Sequence, residues 1–191
     1  MSSYAHSSSA TVGADISRAE LRRMKPALVE FLAEQRFDFH IVAELSPSAP
    51  RSVLEDAIYG WVARVNRRFL GRGWSAPHRR HQRMRGVAFF ETNGGYHHAH
   101  MLVGPPAGAS LLRFEMCARY FFQAHPCEEL RLWYPRPVAP RGGIMHVRRI
   151  RPTHADRVRV AGYAAKTTEW SVAATENWKL LEDLSPRQAA S

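Results

Sequence analysis

The chain has 191 residues, 45% of them hydrophobic, and a net charge of +10 at pH 7. That length and apolar content suit one compact domain with a single core, and no apolar run approaches the roughly 18 residues that would span a bilayer. Only Cys117 and Cys127 are present, which excludes a disulfide framework and a four-cysteine zinc site. The opening "MSSYAHSSSATVGADIS" lacks the basic-then-apolar pattern of a signal peptide, so a reducing, cytoplasmic home is expected. The basic residues number 27, and the three lysines Lys25, Lys166 and Lys179 leave 27 − 3 = 24 arginines. Arginine is the better fork for phosphate, and the excess of positive charge favours a polyanionic partner. Genome composition also inflates arginine, so basicity points to nucleic acid without choosing between enzyme and binding module.

Residues 1–16 read as a disordered leader. From Ser17, "SRAELRRMKPALVEFLAEQR" reads as a helix: Ser17 and Glu20 match a capping box, and Leu21, Met24, Leu28, Phe31 and Leu32 form an apolar stripe. Pro26 is expected to kink or divide it. "FDFHIVAEL" (37–45) reads as a strand ended by "SPSAP". Ser52 to Leu70 reads as a second helix with Leu54, Ile58, Trp61, Val62, Val65 and Phe69 on one face. The basic run "RGWSAPHRRHQRMR" (72–85) is expected to be an exposed loop. "GVAFFET" and "YHHAHMLVG" are two strands around Asn-Gly-Gly, a strong hairpin signal. "SLLRFEMCARYFFQAH" (110–125) is a third helix, "GIMHVRRIRP" a fourth strand and "ADRVRVAGYAAKTTEW" (155–170) a last helix, followed by a polar tail. The order β-α-β-β-α-β is that of an α+β, ferredoxin-like or RRM-like antiparallel sheet. Helices are expected on one face, with an active site on the open one.

Strand alternation decides which hairpin residues cooperate. Tyr96, His98, His100 and Leu102 share one face, while His97, Ala99, Met101 and Val103 share the other, apolar one. A Gly94-Gly95 turn sets Glu91 directly opposite His98. An Asn93-Gly94 turn sets it opposite Tyr96 on the same face, and a three-residue loop rotates it away. Two imidazoles and a carboxylate suit a catalytic divalent metal: manganese or zinc by ligand type, or magnesium with substrate phosphate completing the shell. His146, on the neighbouring strand, is a competing ligand. In the last helix Tyr163 and Lys166, three residues apart, lie on one face.

"HAH" at 98–100 resembles the His-hydrophobic-His signature of HUH endonucleases, and "YAAK" at 163–166 resembles their Tyr-x-x-Lys signature. The order of the two motifs is that of the single-tyrosine, rolling-circle replication initiators of this superfamily. The resemblance covers residues 37–170, and "FHIVAELSP" matches the family's first motif only loosely. Glu91 falls where those initiators carry their third metal ligand. The resemblance implies a domain over 17–175 and a tail over 176–191, with metal ligands Glu91, His98 and His100. It implies nucleophilic attack by Tyr163 assisted by Lys166, giving a 5′-phosphotyrosine link and a free 3′-hydroxyl. The implied partner is single-stranded or hairpin DNA. No GxxxxGK[ST] phosphate loop occurs, so a host helicase would supply the motor. Within the fold, Tyr96 and Trp74 are candidates to stack on bases, and Arg72, Arg79, Arg80, Arg83 and Arg85 to track the DNA backbone. The alternatives are an HUH-type transposase with the same site and a non-catalytic ferredoxin-like nucleic-acid-binding module; a zinc hydrolase of small substrates fits the charge poorly.

Overall fold

Alternation of buried and exposed residues builds the sheet. In Phe39–Glu44, which forms β1, Phe39, Ile41 and Ala43 are buried on one side while His40, Val42 and Glu44 face the other. The computed structural model describes residues 18–46, 49–128, 133, 137–139, 143–166 and 177–182. Helix α1 (Arg18–Glu34) precedes β1, and α2 (Arg51–Leu70) follows it. The hairpin β2 (Arg85–Asn93) and β3 (Tyr96–Gly104) comes next, then α3 (Leu111–Phe122), β4 (Ile144–Arg149), α4 (His154–Ala164) and β5 (Trp178–Leu180). The strands lie in the order β4-β1-β3-β2-β5, each antiparallel to its neighbour. The run from β1 to β4 is consistent with the ferredoxin-like α+β class expected.

The helices do not keep to one face. On the first face α2 and α3 bury Phe39, Ile41, Ala88, Phe90, Met101 and Val103, with Leu54, Ile58, Trp61, Phe114 and Phe122 coming from the helices. The Trp61 indole N–H donates to the Ala118 carbonyl at 2.8 Å, satisfying the one polar atom this side chain brings inside. The second face, expected to be open, is partly roofed by α1 and α4. Val87, Phe89 and Leu102 alternate onto it, and Val29, Leu32, Val160, Ala161 and Ala164 cover them. Three large apolar side chains on one sheet face cannot stay in water cheaply, and this is why the two outer helices fold back.

Three other expectations change. The stripe of α1 is rotated: Val29 and Leu32 are buried, whereas Met24 and Phe31 are 56% and 57% exposed. Pro26 sits inside an unbroken helix. The supposed polar tail supplies β5, whose Trp178–Leu180 pairs with Val87–Phe89 and closes the β2 edge. Ser17, the leader, residues 167–176 and 183–191 lie outside the described residues.

The turn between β2 and β3 is the two-residue form, with Asn93 paired to Tyr96. Gly94 and Gly95 take φ of +57° and +85°, a left-handed pair that suits a type I′ turn and that side chains resist. Replacing both by alanine should lower stability by about 2–4 kcal/mol, at 1–2 kcal/mol for each residue forced into that region. Urea unfolding measures it, and an unchanged midpoint would show that the turn tolerates another geometry.

Candidate metal centre and nucleophile

The hairpin register places Glu91 directly opposite His98. His100 follows two residues later on the same strand face. The third histidine, His97, turns to the other face, where its ring nitrogen lies 2.9 Å from the Thr92 hydroxyl. The Glu91 carboxylate is buried at 7% exposure, and His100 at 3%. His98 Nε2 lies 3.0 Å from Glu91 Oε2. The ligand atoms of Glu91, His98 and His100 all fall within 4.8 Å of one another, so this group could hold a metal ion. Two details fit a cation there. Glu91 Oε1 is buried with no hydrogen-bond partner among the described residues. His100 Nε2 stands 3.5 Å from Glu91 Oε2, too far for a bond of ordinary geometry. Buried polar atoms left this way are costly unless something completes them.

Helix α4 delivers the second half of the site. Thr153 caps it, its hydroxyl accepting from the Asp156 backbone N–H at 3.3 Å. Ala161, Ala164 and Ala165 are all buried, and their small side chains let the last turn settle onto the sheet. Tyr163 and Lys166 are thereby carried over the histidines. The Tyr163 ring centroid is 5.0 Å from that of His100, edge to face. Lys166 Nζ donates to Glu91 Oε2 at 3.2 Å and lies 4.5 Å from the Tyr163 ring centroid. Tyr163 itself is 50% exposed, so its hydroxyl-bearing ring is accessible from solvent. Burial pushes the Glu91 carboxyl up, but the His100 and His98 imidazoles and the Lys166 ammonium outweigh it and hold it well below the usual carboxylate range.

His40, which the sequence reading passed over, belongs to the same cluster. Its Nε2 lies 3.3 Å from His100 Nδ1, and the two rings stack at 5.4 Å with 9° between planes. If His100 donates its Nδ1–H to His40, the His100 Nε2 lone pair is left free to ligate, the arrangement that second-shell partners of metal histidines provide. Burial first, then the positive charges of His100, Arg148, Arg159 and Lys166, push His40 down to about 4, so it is a neutral partner at pH 7. The signal in the sequence was parity alone: His40 alternates with the buried Phe39 and Ile41, yet nothing in the chain says that its face meets His100.

The other candidates separate. His146, the competing ligand, is exposed at 66% of its side chain and 3.9 Å from Glu44, outside the three-residue group. Tyr96 is 52% exposed at the hairpin tip, on the site face. The arginine run is not a plain exposed loop. Its Arg72–Ser75 and Pro77–Gln82 segments are two 3-10 turns, and Trp74 is buried at 5% exposure and offers no stacking surface. Arg83 donates to the carbonyls of Trp74, Ser75 and Ala76 at 3.0, 2.7 and 3.0 Å. Arg79 donates to the Leu70 carbonyl at 2.6 Å. A tight, irregular turn leaves carbonyls without a ladder, and guanidinium groups answer them. Arg85 lies over the Phe37 ring at the strand end paired with Gly104, six residues from Glu91 and so about 20 Å along β2. Arg72 and Arg80 remain exposed, and Arg80 lines a shallow pocket together with Arg85.

Two outcomes are expected. In chelator, wild-type protein should lose about 2–3 kcal/mol of stability more than His40→Gln between pH 7 and pH 4.5. A histidine with a depressed folded pKa loses stability as pH falls from its unfolded value of 6.5 toward the folded value of about 4. Urea unfolding at both pH values checks it; parallel losses in the two proteins would refute it. In calorimetric titration with Mn2+, Glu91→Ala should abolish binding, and His40→Ala should weaken it about 10–100-fold. Comparison with protein-family models, with curated proteins and with solved structures finds no match to this chain.

Proposed function

We propose that the protein is a metal-dependent endonuclease and strand transferase that nicks and rejoins single-stranded DNA through Tyr163, of the type that initiates rolling-circle replication. One observation carries the reading. Two motifs more than sixty residues apart in the chain converge so that a solvent-accessible tyrosine stands over a buried Glu-His-His group, with Lys166 touching both. A structural histidine pair or a plain binding module has no need of such a meeting.

The groups divide the work. Glu91, His98 and His100 would hold the ion, Mn2+ or Mg2+ by the mixed nitrogen and oxygen donors and a phosphate substrate, with Zn2+ also compatible. A divalent cation bound there supplies Lewis-acid charge to the phosphate oxygens. The Tyr163 oxygen attacks phosphorus in line, forming a tyrosyl–phosphate bond as the bond to the 3′-oxygen breaks. The phenolic proton leaves to solvent through the exposed side of the ring, and the departing 3′-oxygen takes up a proton to become a hydroxyl. The 5′ end stays on the protein. Because one phosphodiester replaces another, a 3′-hydroxyl can reverse the step and join strands. Lys166 places a positive charge beside the reacting ring and the carboxylate, and His40 orients His100. The burial of the Glu-His-His group under α4 requires the target to be unpaired, since a duplex cannot present its phosphate that close to the sheet.

The test uses a pool of random-sequence single-stranded oligonucleotides labelled at the 3′ end, incubated with Mn2+ and run on a denaturing gel. A labelled band at protein mass plus DNA is expected. It should vanish in Tyr163→Phe and fall at least about 100-fold in His98→Ala or His100→Ala, the scale of removing a group that acts only in the transition state. Absence of an adduct in the wild type, or its persistence in Tyr163→Phe, would overturn the reading.

A further inference from the structure

We infer that single-stranded DNA reaches Tyr163 across the outer face of β4, with Arg148 and Arg159 as its phosphate contacts. This rests on the nicking reading for its ligand but concerns only where the strand lies. Strand β4 is the edge of the sheet. Its register with β1 pairs His146 with Val42 and Arg148 with His40, so both side chains share the face that carries His40 and His100. The apolar cover from α1 and α4 lies over Val87, Phe89 and Leu102, on β2 and β3. The β4 side of that face is left bare, with Ile144, His146 and Arg148 all exposed.

The charges there are disposed differently from those of the 72–85 segment. Arg148 makes no hydrogen bond or ion pair among the described residues, whereas Arg79 and Arg83 donate to nearby backbone carbonyls. Its chain neighbour Arg149 points to the opposite face and pairs with Glu115 at 3.0 Å. Arg159 lies one helical turn before Tyr163, on the same side of α4. It is tied to Asp156 at 2.6 Å through one guanidinium edge, which positions it and leaves donors free. Arg148, Arg159 and Lys166 all lie close enough to His40 for their charges to act on it, and Asp156, the carboxylate nearest the two arginines, offsets one of them. The carboxylate on the strip itself, Glu44, lies at its far end, 3.9 Å from His146. A phosphate chain is the ligand these positive charges complement; Ile144, 45% exposed and paired with Glu44, lies at the strip's far end from Arg148.

Fluorescence anisotropy with the same oligonucleotide pool, in EDTA and over a salt series, tests the path without any cleavage. Removing two phosphate contacts in the R148A/R159A double variant should reduce the slope of log K against log salt by about 1.4, at about 0.7 per contact on a single strand. Affinity at low salt should fall at least about tenfold. R148K/R159K should restore the slope, which separates charge from a folding defect that circular dichroism would also reveal. R72A/R80A should bind as wild type. The inference is overturned if the wild type does not bind, if R148A/R159A keeps the wild-type slope and affinity, or if the loss appears in R72A/R80A instead. Binding that depends on Arg148 and Arg159 in a protein that forms no Tyr163 adduct would sustain this path and reject the nicking reading.

Discussion

Glu91 is a carboxylate enclosed by protein, and enclosure alone opposes its charge. It stays ionised because two imidazoles from β3 and an ammonium from the end of α4 converge on one of its oxygens. Removing one partner from a buried charge leaves a penalty of several kcal/mol, so the three elements are bound to one another through this group. The hairpin must keep its register, α4 must dock at one depth, and the chain after Tyr163 must turn so that Lys166 faces inward. Tyr163 inherits its position from these requirements and rests edge to face on His100 and His40.

The docking of α4 is in turn a matter of size. Ala161, Ala164 and Ala165 bring the helix backbone down onto Leu102 and its neighbours, where bulkier residues would lift it. The same residues separate the two halves of the second sheet face. Toward β2 the face is apolar and roofed; toward β4 it is polar and bare. This half-covered face differs from the fully open sheet that the order of elements suggests, and its covered half gives the tyrosine a platform.

The arginines show how composition misleads about position. The densest basic run, 72–85, is the obvious candidate for a polyanion, yet Arg79 and Arg83 fold back on their own turns and Arg85 stacks at the far end of β2. A guanidinium donates to a carbonyl as well as to a phosphate, and sequence does not record which it meets. Arg148 and Arg159 stand in no such cluster. They acquire meaning only because register sets one across from His40 and helical spacing sets the other a turn before Tyr163.

Local rules made much of this protein readable from its residues. Period-two alternation was enough to put His98 and His100 on one surface, because a strand has only two faces; Glu91 joined them in two of the three turns open to Asn-Gly-Gly, and the folded hairpin decided which turn forms. Helical spacing placed Tyr163 and Lys166 together for the same reason. Packing decided what those rules leave open. Whether α1 buries Phe31 or Val29, whether 178–180 is tail or strand, and whether His40 touches His100 depend on neighbours distant in the chain. So does the meeting of the tyrosine with the histidines, which requires α4 to cross β3 at one depth. Periodicity encodes a residue's own face, whereas the surface that face is pressed against is set by the tertiary fold.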